Sequence, residues 1–166
     1  MARHAGVIGA GGWGTALSML LARNGFEVDL WAHEEEVAQE ISNSRTNETF
    51  LPGVKIPRGV RATTDLGEVV GRNTLLFVPV PSQYMRGVIR AARPYLGREH
   101  AVIHAGKGIE EGSLLRLSQV IAEELPPELH DNIGVISGPS HAEEVAREVP
   151  TAIVAASFDG RVAKLA

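Results

Sequence analysis

Four glycines, Gly9, Gly11, Gly12 and Gly14, crowd the opening stretch "VIGAGGWGTALSML". Ordering glycine costs more backbone entropy than ordering any other residue, so such density implies a sharp bend or a close approach. Gly9, Gly11 and Gly14 fit G-x-G-x-x-G, directly after an apolar run and directly before a helix-like pattern. In that setting the three have separate tasks: a tight turn, close backbone approach to a pyrophosphate, and close helix–strand packing. The helix start adds free N–H groups and the positive end of its dipole. The chemistry expected is binding of a dinucleotide, NAD or NADP.

The end of the second strand should discriminate between the two. A carboxylate there serves the ribose 2′-hydroxyl of NAD, and a basic residue accommodates the 2′-phosphate of NADP. The segment "VDLWAHE" ends in Ala32 and His33, with Glu34 one step later. Asp29 comes too early in the strand to reach a ribose. His33 can approach a 2′-phosphate, whereas Glu34 can serve a 2′-hydroxyl or simply open a helix. The choice stays open, leaning to NADP.

A second group of residues lies further on. Lys107 stands between Gly106 and Gly108 just after an apolar run, and it is one of three lysines, with Lys55 and Lys164. Ligands bind at the carboxyl edge of open α/β sheets, and a strand end puts Lys107 there. An ammonium so placed can hold an anionic substrate or stabilise a developing oxyanion. The plain alternative is a solvated surface lysine. In "SGPSHAEE", Ser140 with Glu143 has capping-box spacing, which is compatible with a phosphate at the same helix start. No G-x-S-x-G surrounds either serine, which disfavours a hydrolase. His141 and Glu144 share a helix face but lack a third ligand, so no metal is expected and His141 reads as structural.

Alternating elements must position these groups. Expected strands are His4–Ile8, Val28–Ala32, Val60–Thr63, Thr74–Val78, Ala101–His104, Ile133–Ser137 and Ala152–Ala156. Helical periodicity covers Trp13–Asn24, Glu34–Ser44, Ser82–Arg93, Leu114–Glu124 and His141–Glu148. Apolar runs without polar alternation suit strands covered on both faces. The class is therefore α/β: a Rossmann-type, doubly wound, mostly parallel sheet with helices on both faces. The stretch from Asn43 to Gly59 is long for a compact domain, which points to function; its Phe50 either covers a cofactor or packs inward. Asp159 reads as the N-cap of a helix that the chain ends within, which suggests a piece of a longer protein.

The 166 residues fit one domain spanning 1–166 with a real core. A net charge of −4 with no basic run argues against nucleic acid. There is no cysteine, hence no disulfide or thiolate chemistry. No run approaches the roughly 18 apolar residues of a membrane helix, and no secretory h-region is present. These features fit a cytoplasmic protein.

The blocks "GAGGWGTAL", "NETFLPG" (Asn47–Gly53), "HAGKGIE" (His104–Glu110) and "SGPSHAEEVA" (Ser137–Ala146) resemble the NAD(P)-dependent glycerol-3-phosphate dehydrogenase family, in the family's order. The first block is shared with many dinucleotide enzymes; the other three are far more specific. The resemblance implies reversible hydride transfer between nicotinamide and C2 of a three-carbon phosphate, dihydroxyacetone phosphate to sn-glycerol 3-phosphate. It implies cofactor contacts at Gly12, Trp13, His33, Lys107 and Ala142, and substrate contacts at Lys107, Gly138 and Ser140. The family commonly has serine where this chain has Gly12. The implied catalytic lysine and the phosphate clamp belong to a helical domain beyond position 166, so no catalytic base is expected here and the chain alone should turn over little.

Two other readings share the glycine turn. One is a related β-hydroxyacid or sugar-acid dehydrogenase. The other is a non-catalytic nucleotide-sensing module, which would have no need of Lys107. An apolar surface left bare by an absent domain would favour homo-oligomers.

Overall fold

The computed structural model describes residues 3–166. Seven strands form one sheet: β1 (Arg3–Ile8), β2 (Phe26–Trp31), β3 (Val60–Thr63), β4 (Leu75–Val78), β5 (Ala101–His104), β6 (Ile133–Ser137) and β7 (Val154–Ser157). Their spatial order is β3-β2-β1-β4-β5-β6-β7. The first six are parallel and β7 runs antiparallel to β6. This is the doubly wound order, whose switch point lies between β1 and β4.

Strand residues alternate between two apolar layers. Ala5 and Val7 face α1 (Gly12–Arg23), α2 (Glu35–Ser44), α6 (Ala142–Ala146) and α7 (Gly160–Leu165). Ile8, Leu76 and Val78 face α3 (Leu66–Arg72), α4 (Ser82–Ala92) and α5 (Leu117–Glu124). Both layers are closed by Val, Ile and Leu, which is why the central strands carry no polar alternation.

Several elements differ from expectation. Helix α3 was not foreseen, because Gly67 and Gly71 dilute its periodicity; Asp65 caps it by accepting from the Glu68 N–H at 2.9 Å. Helix α5 begins at Leu117, since Leu114 adopts φ +57° and belongs to a turn. Helix α6 covers Ala142–Ala146 alone, and β7 starts two residues later than expected. Asp159 does cap α7, accepting from the Arg161 N–H at 2.8 Å. Among the described residues, no helix is long and apolar enough to cross a membrane.

Candidate functional site

The turn between β1 and α1 is built by its glycines. Gly9 has φ +122°, and its N–H donates to the Trp31 carbonyl at 3.0 Å. A Cβ on Gly14 would lie 1.8 Å from the Gly9 carbonyl oxygen, so only glycine lets helix and strand close this far. A Cβ on Gly11 would meet nothing within 4 Å. Gly11 is the N-cap, and the Thr15 N–H donates to its carbonyl at 2.9 Å. The N–H groups of Gly12, Trp13 and Gly14 therefore precede the helical ladder and have no intrahelical acceptor. That arrangement fits a diphosphate: donors without helical partners, and a glycine beside them with space around it.

The long loop closes over this turn. Asn47, fully buried, donates from Nδ2 to the Ala10 carbonyl and to Thr15 Oγ1, each at 2.9 Å, and its Oδ1 accepts from the Phe50 N–H at 3.2 Å. The Phe50 carbonyl oxygen comes so near that a Cβ on Gly12 would sit 2.6 Å from it. The Phe50 side chain is exposed, so it does not pack into the core. A Cβ on Gly12 would also lie 3.7 Å from that of Ala142, which brings α6 to the same corner.

The loop after β5 carries Lys107. Its Nζ donates to the Gly138 carbonyl at 2.9 Å and to Ser140 Oγ at 3.3 Å. These three positions, 31 and 33 residues apart in the chain, meet at the carboxyl edge of the sheet. Ser140 does not cap α6 as its spacing suggested. Its N–H donates to the Gly138 carbonyl at 2.8 Å in a tight turn, which makes His141 the N-cap residue, without a side-chain bond. His141 is exposed and not part of the core. Among the described residues no cluster of three His, Asp or Glu side chains converges.

The indole of Trp13 joins the two regions. Its Nε1–H donates to the Ala105 carbonyl at 3.1 Å, tying the first turn of α1 to the root of the Lys107 loop. Nothing in local spacing announces a bond across 92 residues. His104 lies in the same place, with Nδ1 buried and unpartnered. Burial pushes its pKa down to about 4, so the ring is neutral at pH 7.

His33 stands apart from this cluster. It is exposed just past the end of β2, with its ring edge-on to Trp31 at a centroid distance of 5.9 Å. Trp31 pairs with Ile8, so His33 shares the edge that bears the glycine turn. Asp29 is 5% exposed and bound by Arg61 Nε at 2.7 Å, Asn73 Nδ2 at 2.8 Å and Arg72 Nε at 3.2 Å. Burial by itself would raise its pKa, but the hydrogen bonds of Arg61 and Asn73 and the charges of Arg61 and Arg72 hold it below the usual range. It is a structural anion whose carboxylate is occupied by these three partners.

Fold and site together define a dinucleotide-binding α/β domain with a lysine-bearing loop beside the glycine turn. The family described as NAD-dependent glycerol-3-phosphate dehydrogenase N-terminus matches residues 4–163, and the chain belongs to that family. A glycerol-3-phosphate dehydrogenase [NAD(P)+] of a Geobacter species is 44% identical over 164 residues, 99% of this chain and 49% of the relative. That of Carboxydothermus hydrogenoformans is 48% identical over 152 residues, covering 92% and 45%. The crystal structure of glycerol-3-phosphate dehydrogenase from Coxiella burnetii superposes with a TM-score of 0.88 at 34% identity, over 98% of this chain and 49% of that one. The chain thus spans about half the length of these relatives.

Proposed function

We propose that this chain is the dinucleotide-binding part of a glycerol-3-phosphate dehydrogenase, which interconverts dihydroxyacetone phosphate and sn-glycerol 3-phosphate and so supplies glycerophospholipid precursors in the cytoplasm. The observation that carries the reading is the convergence of Lys107, Gly138 and Ser140 beside a glycine turn with free N–H donors. A bound nicotinamide dinucleotide, NADP or NAD, supplies the hydride acceptor or donor. Gly9 and Gly14 shape the turn, and the N–H groups of Gly12, Trp13 and Gly14 hold the diphosphate. Ala142 adjoins that corner, and His33 lies toward the adenosine ribose.

Lys107 has the chemistry to hold an anionic substrate and to stabilise the oxyanion that develops on C2. Gly138 and Ser140 fix its ammonium on the substrate side. Oxidation of the alcohol also requires a base for the hydroxyl proton. We assign that base to a lysine in a helical domain following position 166, together with the phosphate clamp.

Titration of the chain with NADH and NADPH, followed by tryptophan fluorescence, tests the reading, because Trp13 adjoins the turn and Trp31 the ribose end. Saturable quenching by either is expected, with very little turnover of dihydroxyacetone phosphate by this chain alone. A chain that neither dinucleotide perturbs would remove the basis for the proposal.

A further inference from the structure

The loop that presents Lys107 is fastened from behind. Three residues past the lysine, Glu110 receives the fork of Arg86 from α4: Nε to Oε1 at 2.9 Å and Nη2 to Oε2 at 2.7 Å. Ser113 Oγ donates to the same carboxylate at 2.6 Å. One turn before Arg86, Gln83 donates to the Ile109 carbonyl at 3.4 Å and accepts the Glu111 N–H at 3.1 Å. Gln83 and Arg86 share one face of α4, so a single helix face grips the loop twice.

The loop needs such a grip. It holds Gly108 at φ +91°, Gly112 at φ +82° and Leu114 at φ +57°, the last a left-handed conformation that a branched side chain disfavours. Leu114 is 72% exposed and gains little from packing. Glu110 is by contrast largely covered, its side chain 12% exposed beside an Arg86 side chain at 25%. The hydrogen bonds of Arg86 and Ser113 hold its pKa down to about 2, so it stays charged throughout the working range of pH. A bidentate guanidinium–carboxylate fork fixes orientation as well as distance.

We propose that Arg86 and Glu110 are positioning residues that act through the loop backbone to hold the Lys107 ammonium at Gly138 and Ser140. This deepens the functional reading and takes from it the substrate-facing role of Lys107. Arg86 also bonds Glu123 and Glu124 of α5, at 2.8 and 2.9 Å, so a role confined to helix packing must be separated from the proposed one. Arg90 supplies the separation: it binds Glu124 at 2.8 and 3.0 Å and makes no bond to Glu110.

The experiment measures the rate at which an amine acylating reagent labels Lys107 in this chain, relative to Lys55 and Lys164 in the same molecule. It uses no ligand, so its outcome is independent of whether a dinucleotide binds. Glu110→Gln and Arg86→Ala should each raise the relative rate at Lys107 about threefold or more, the scale of a lost hydrogen bond. The double variant should add little to either single one. Arg86→Lys should fall between wild type and Arg86→Ala, and Arg90→Ala should leave Lys107 unchanged. Amide exchange should quicken at Glu110, Glu111 and Leu114 and stay unchanged in β1. The proposal is overturned if Glu110→Gln leaves Lys107 at its wild-type rate, or if Arg90→Ala matches Arg86→Ala. Should Arg86→Ala not fold, Glu110→Gln and Arg86→Lys decide the question by the same criterion.

Discussion

Two turns meet at the carboxyl edge of the sheet, and they are made in opposite ways. The glycine turn is shaped by backbone and by absent side chains, Gly9 at φ +122° and Gly14 against the Gly9 carbonyl, with Asn47 clasping it from the long loop. The Lys107 loop is held by side chains reaching from other elements: Arg86 and Gln83 from α4, and Trp13 from α1. A main-chain turn tolerates no added atom at its closest point. A loop held by side chains loses its fastenings one at a time.

The largest effect should come from the glycine turn. Gly14→Ala forces helix from strand and should cost about 3 kcal/mol or more in urea denaturation. Gly11→Ala, whose Cβ enters open space, should cost only about 0.5–1 kcal/mol as a weakened N-cap, yet lower dinucleotide affinity. Similar stability losses for the two would erase the distinction between packing and ligand glycines. Next comes Asn47→Ala, which strips a buried partner from Ala10, Thr15 and Phe50 and should cost about 2–3 kcal/mol.

Smaller effects belong to the root of the Lys107 loop. The folded-state pKa of His104, about 4, lies below its unfolded value of 6.5, so the unfolded chain binds the proton more readily. Stability should therefore rise with pH between about 4 and 6.5 and be level above, with about 2–3 kcal/mol lost at pH 4.5 relative to pH 7.5. Denaturation of His104→Leu at both pH values should show that part of the difference gone. Trp13→Phe, which keeps most of the ring but drops the bond to Ala105, should cost less than the His104 effect, about 1 kcal/mol. Its mark should be faster amide exchange around Ala105, with the core of β1 unaffected.

The same contrast explains what could be read from the residues alone. The α/β alternation and the glycine turn were legible because each is written in consecutive positions: an apolar run, a G-x-G-x-x-G, then a 3.6-residue period. Lys107 could be set on the carboxyl edge of the sheet because it follows a strand end between two glycines. Helix α3 escaped because two glycines in seven residues resemble a loop. Ser140 misled because its spacing to Glu143 suits a cap, whereas the Gly138–Ser140 turn starts the helix one residue later. The bonds of Asn47 to Ala10, Arg86 to Glu110 and Trp13 to Ala105 span 37, 24 and 92 residues. Each depends on where the sheet order brings its ends, which no local period encodes.

The Trp13–Ala105 bond has one more consequence. Any ordering that a guest at one of these turns imposed on the indole would lower the cost of ordering the other turn, and thermodynamic reciprocity would make that benefit equal in both directions. Beyond the contact that hydride transfer itself demands, the dinucleotide and the substrate would thus share a mechanical link of one N–H group.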